Sequence, residues 1–194
     1  MKTTTKLRVL ISSFFMLILF IGCKNEAKTE ASTTSSTATG KEVKKQGQAF
    51  IEDDGSTPNV LQIAIGSPDH TTLVAAVQAA ELENALVNAG PLMVFAPTNA
   101  AFDALPEGTV ATLLKPENKG DLANILKYHV TPGNYSKEFL KKFKKLGQAN
   151  NQNVMIEVKG DDVYVGGAKI IGSVKGGNGI VHVIDKVMLP PAEE

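Results

Sequence analysis

The chain has one cysteine, Cys23, and one arginine, Arg8, in 194 residues. A lone cysteine excludes an intramolecular disulfide and any cysteine-based metal cluster, so the fold must be held by its apolar core. A domain of roughly 130 residues can bury about two-thirds of its unfolded surface, which is enough for that purpose. The scarcity of arginine counts against nucleic acid as a partner, because such proteins favour guanidinium groups for bidentate phosphate and guanine contacts. The three histidines, His70, His129 and His182, are scattered with no H-E-x-x-H spacing, so no metal site is expected. A phosphate loop is missing too. Gly177-Asn178-Gly179 runs into an apolar stretch with strand character, where a phosphate loop would open a helix and end in Gly-Lys-Ser/Thr. Ser173 follows Gly172 directly, so there is no G-x-S-x-G elbow. With no nucleophile–base pair legible in the chain, the expectation is a protein that catalyses nothing and needs no cofactor.

The charges balance, 20 basic against 20 acidic, but unevenly along the chain. Lys2, Lys6 and Arg8 fall in the first eight residues, and the first acid is Glu26. Val9 to Ile21 is apolar except for Ser12 and Ser13, and Gly22-Cys23 follow. A basic start, a short apolar run and a small residue at the end describe a secretory signal, here residues 1–22. The run is short for a membrane span, which needs about 20 apolar residues. Leu19-Phe20-Ile21-Gly22-Cys23 resembles a bacterial lipobox, with Phe20 where leucine is usual. Cys23 would then become a lipidated N-terminus. The alternatives are an ordinary secretory signal or an uncleaved anchor, but a partnerless thiol at the end of an apolar run has little other use. Lys24 beside the cysteine, where aspartate would favour inner-membrane retention, points to the outer membrane; the periplasmic or surface side is left open. Without residues 1–22, 17 basic side chains face 20 acidic ones, which suggests no strong polyanion partner for the chain as a whole.

Residues 23–57 read as a tether. Ala31 to Gly40 is almost all serine, threonine and alanine, and such a segment buries too little to offset the entropy of ordering. The domain reads as 58–191, with a short tail at 192–194. Asn59 can cap a first helix, and Leu73, Ala76, Val77 and Ala80 recur at helical spacing. Leu92 to Ala96 reads as a buried strand, and Thr98 or Asn99 caps the helix carrying Phe102. Phe95 and Phe102 should be core residues. After Pro132-Gly133 the period changes to two. Val154, Ile156 and Val158 alternate, Val163 and Val165 follow across a Gly160-Asp161-Asp162 turn, Lys169 to Val174 forms a further strand, and Ile180 to Leu189 the longest. Helices in the first half and strands in the second argue for an α+β fold with a largely antiparallel sheet arrangement.

Three blocks in this order resemble the fasciclin domain family: Val94 to Phe102, Tyr128-His129-Val130, and Gly179 to Pro190. The resemblance spans nearly all of the expected domain and implies a wedge of two β-sheets with several helices. It also implies an adhesive role, with residues near Tyr128, His129 and Asp185 linked to partner binding in animal members. The side chains have plainer uses as well. Thr98 and Asn99 are a contact surface or simply a turn and a cap, the commoner role for both types. Asp185, read as lying inside an apolar strand, should accept hydrogen bonds from the first block. His129 and His182 fit a core, and His70 reads as exposed in a helix-entry loop. Lys137 to Lys145 holds five lysines and one glutamate, a solvated face or a patch for acidic polysaccharide or anionic head groups. The expected function is a lipid-anchored extracytoplasmic module binding a protein or polysaccharide at the cell envelope. The alternative is a small-ligand receptor, which a closed concave cavity would distinguish.

Overall fold

The computed structural model describes residues 57–88 and 90–191. The signal, Cys23 and nearly all of the tether lie outside the described residues. Seven short helices and seven strands follow one another, with the helices concentrated before residue 129.

The helical half is built by local caps. Helix α1 (Val60–Ile65) starts at Asn59, whose side chain accepts from the amides of Leu61 and Gln62 while Gln62 reaches back to the Asn59 amide. Helix α2 (Thr71–Ala79) buries Leu73, Val74, Ala76 and Val77. No side chain of its own segment caps it: Asn99, 27 positions downstream, accepts from the Thr72 amide at 3.0 Å. Helix α3 (Glu83–Asn88) then leads to strand β1 (Leu92–Pro97), buried along its whole length. Thr98 caps helix α4 (Asn99–Asp103), and α5 (Thr109–Leu113) and α6 (Lys119–Tyr128) complete the layer.

Strand β2 (Val130–Pro132), helix α7 (Lys137–Leu140) and strand β3 (Lys145–Gly147) come next, too short to leave a period in the sequence. Strands β4 (Asn153–Lys159) and β5 (Asp162–Val165) form the expected hairpin, with Gly160 at positive φ in the two-residue turn. Strand β6 (Ala168–Gly176) is the longest at nine residues, and β7 (Gly179–Ile184) stops well before Leu189. The shorter β7 has a cause. Its neighbour β1 ends at Pro97, opposite Ile184, and beyond that point Met188 turns inward to the core.

The strands run in the order β2-β1-β7-β6-β5-β4-β3, with β1–β7 parallel and the other pairs antiparallel. The wedge's two sheets are continuous through β6, which pairs with β5 at Ala168 and Lys169 and with β7 from Ile170 onward. A register shift between Ile170 and Gly172 marks the bend, as expected where a strand passes from one sheet to another. The far edges nearly meet. The Ala149 amide donates to the Val130 carbonyl at 2.7 Å, and the buried Gln148 amide lies 3.0 Å from Thr131 Oγ1.

Alternation on the two central strands divides the core. Met93 and Phe95 of β1 and Ile180 and Ile184 of β7 point into the curled sheet, among Val154, Val163 and Leu140. Val94, Ala96 and Val181 point the other way, against Leu73, Val77, Leu122 and Leu126 of the helices. Phe95 is fully buried, whereas Phe102 is half-buried at the edge of the helical cluster. Gly179 permits the close β1–β7 approach, since a Cβ there would collide with the backbone of Leu92.

Candidate functional site

The three blocks that carry the resemblance converge. β1 lies between β2 and β7, the Phe95 amide donates to the His129 carbonyl at 2.8 Å, and the Thr98 amide donates to the Ile184 carbonyl at 3.3 Å. The named side chains do not form one surface, however. Tyr128 is 6% exposed and donates its hydroxyl to the Asn153 carbonyl at 3.3 Å. His129 is 3% exposed; its Nδ1–H donates to the Ile125 carbonyl at 2.8 Å and its Nε2 accepts from the Met188 amide at 3.0 Å. Burial holds the imidazole neutral and pushes its pKa down to about 4. His129 thus ties the end of α6 to the segment after β7.

Asp185 differs from expectation. It sits past the end of β7, exposed, and accepts from the Lys169 amide at 2.8 Å rather than from the first block. The chain leaves the sheet at Ile184, so the carboxylate reaches water and needs no buried partner. Thr98 accepts from the Ala101 amide at 3.3 Å as an ordinary cap. Asn99 does more. Besides the Thr72 amide it receives the Thr71 hydroxyl at 3.2 Å and donates to the Pro68 carbonyl at 2.9 Å, locking the entry of α2 to α4. His70 is buried, not exposed, with Nδ1 2.8 Å from Ser67 Oγ.

Besides the His70–Ser67 pair, the fold assembles a second serine–histidine contact the sequence did not reveal. Ser173 on β6 and His182 on β7 are cross-strand partners, and Ser173 Oγ lies 2.7 Å from His182 Nδ1. His182 Nε2 donates to the Tyr135 carbonyl at 2.9 Å, and the ring stacks on Phe95. The third group is a neutral carbonyl, with no charge to stabilise an imidazolium, and burial depresses the His182 pKa further. The arrangement satisfies a fully buried ring and joins β6, β7 and the loop before α7.

Two further features can receive a partner. The first is at α7. Tyr135, Phe139 and Phe143 form a ring cluster with centroid separations of 5.2 to 5.6 Å, and Phe139 remains 42% exposed. The same stretch of chain carries Lys137, Lys141, Lys142, Lys144 and Lys145. Lys141 pairs with Glu138 at 2.9 Å and Lys142 lies 5.0 Å from the Phe139 ring centre. Sequence reading saw the lysines but not the aromatic triad, which needs the turn of α7 to bring residues 135, 139 and 143 together.

The second is a cavity of about 210 Å³ between α1, α2 and α3 on one side and β1, the end of α6 and β2 on the other. Its wall is aliphatic, including Leu61, Val74, Val77 and Leu86. Ala85, Lys127 and Ala149 are the exposed members of the lining and mark the mouth. Asn178 braces one wall: its Oδ1 accepts from the Val60 amide at 2.9 Å, and its Nδ2 donates to the Leu86 carbonyl at 2.8 Å. Neither Asn178 nor the cavity is legible in the sequence, because each depends on contacts about 90 to 120 positions apart.

The fasciclin domain family model matches residues 68–190. Protein sll1483 of Synechocystis is 45% identical over 137 residues, covering 70% of this chain and 76% of that protein. The cell surface glycolipoprotein MPB83 of Mycobacterium bovis is 39% identical over 108 residues, covering 55% of this chain and 47% of that protein. A FAS1 domain pair from the insect cell adhesion molecule Fasciclin I superposes with a TM-score of 0.41 at 19% identity, over 66% of this chain and 43% of that one. On the family match and the Synechocystis relative, this chain belongs to the fasciclin domain family.

Proposed function

We propose that the chain is a lipid-anchored extracytoplasmic module that holds a macromolecular partner at the cell envelope through the surface around α7. The observation that carries the reading is Phe139, an exposed ring backed by Tyr135 and Phe143, with Lys142 over its face and four further lysines in residues 137–145. An exposed ring offers a flat apolar face, and the lysines attract a partner bearing carboxylates or sulfates. Although the chain after residue 22 is mildly acidic, residues 137–145 hold five lysines against Glu138, and such a local excess acts on a partner within a Debye length of about 8 Å in physiological salt. The family's place at cell surfaces and the name of the mycobacterial glycolipoprotein support the anchor. So does the order of charged, apolar and Gly-Cys segments at the start of the chain.

Tyr128 and His129 enter this reading as groups that position the surface, and Asp185, Thr98 and Asn99 as a secondary contact region. The test is attachment of cells that lack the protein. The wild-type gene should restore attachment to surfaces or to other cells. Cys23→Ala should not, and neither should a Phe139→Ala, Lys142→Glu, Lys144→Glu combination. Unchanged attachment on deletion would overturn the proposal.

A further inference from the structure

We propose that the cavity between α1, α2, α3 and β1 binds the hydrocarbon tail of a small anionic amphiphile of the medium-chain fatty acid class, with its carboxylate at Lys127. Size is the first support. An engineered apolar cavity of about 150 Å³ takes up benzene, and this one, at about 210 Å³, admits a larger hydrocarbon. Native interiors seldom keep a space of this kind unless something fills it.

The chemistry of the wall selects the tail. It is leucine, valine and alanine with Phe95, and its one buried polar ring, His129, has both nitrogens engaged by Ile125 and Met188. The surface is overwhelmingly apolar, so a sugar, nucleotide or peptide backbone would lose its hydration there with little compensation. The mouth selects the head group. Lys127 is exposed at the rim, and among the described residues no salt bridge involves it. A lysine on a flexible four-carbon stem in the lining can bring its ammonium to a carboxylate on the end of an aliphatic chain.

This site is independent of the α7 surface, since the cavity is lined by the helical cluster and the α7 rings pack on the sheet cluster. The experiment uses the full chain carrying Cys23→Ala, so that no acyl group of its own competes. Decanoate and decyltrimethylammonium, which share a tail and differ in head-group charge, are each titrated by calorimetry and by the shift in melting temperature. Decanoate should bind one to one and raise the melting temperature. The cation should bind several-fold more weakly, and Lys127→Glu should reverse that order. Ala85→Trp at the mouth and Val74→Phe in the wall should abolish decanoate binding while the circular dichroism stays that of the parent. Should both variants fail to fold, ¹³C-decanoate bound to the parent must show contacts to the Val74 and Leu86 methyl groups. The proposal is overturned if decanoate does not bind, if it binds folded Ala85→Trp and Val74→Phe as it binds the parent, or if those methyl contacts are missing.

Discussion

His129 and Asn178 show how single side chains hold this domain together. His129 is protonated less readily in the folded state, with a pKa of about 4, than in the unfolded chain, where it lies near 6.5. Between those values the unfolded state binds more protons, so stability falls as pH drops from about 6.5 to about 4 and levels off below. The loss from this residue is roughly 3 kcal/mol at about 1.4 kcal/mol per pH unit. His70 and His182 are depressed in the same direction and add to it. Urea midpoints measured from pH 7.5 to 4 should therefore decline, and a flat profile would contradict neutral burial of these rings. Asn178→Ala removes its bonds to Val60 and Leu86 and should cost about 1–3 kcal/mol, read as a lower urea midpoint at unchanged slope. Asn99→Ala should cost about 1 kcal/mol through the lost cap on α2.

Among the elements, β1 and β7 are the pair on which both clusters depend. Gly179→Ala drives a Cβ against the Leu92 backbone at the first register position of that pair. Neither the Leu92 backbone nor β7 can yield cheaply between two packed layers. The variant should lose hydrogen-exchange protection at Val94 and Val181 before it does so in the β4–β5 hairpin, and uniform protection like the parent's would show that the pair can separate without cost. Helix α7 behaves differently. Phe139 is already 42% exposed, so Phe139→Ala should shift the melting temperature by only a few degrees. If the α7 proposal holds, the same substitution weakens attachment far more than it weakens folding.

For the whole molecule, the described residues from 57 to 191 contain both core clusters, and their sheet edges nearly close on each other. A chain truncated to begin at residue 50 should melt within a few degrees of one beginning at residue 24. A larger drop would mean that residues 24–49 stabilise the domain. The cap of α1 at Asn59 was readable because an asparagine directly before the apolar Val60, Ile63 and Ala64 is a local pattern. The β4–β5 hairpin and the buried strand β1 were readable for the same reason, each being a local pattern of period and turn chemistry.

Local pattern by itself determined the α+β class, the position of β1, the caps at Asn59 and Thr98, and the apolar nature of the core. All of these follow from residues within a few positions of one another. The tertiary structure decided the rest. It made β1 parallel to β7, sent Asn99 to cap a helix 27 positions away, and buried His70 and His182. It also left Asp185 in solvent and stacked Tyr135, Phe139 and Phe143 into one exposed cluster. The cavity belongs to this second group, since its walls come from α1, α2, α3, β1 and the end of α6. Its size depends on how closely Asn178 draws α1 and α3 together, a distance between backbones that no spacing of residue types encodes.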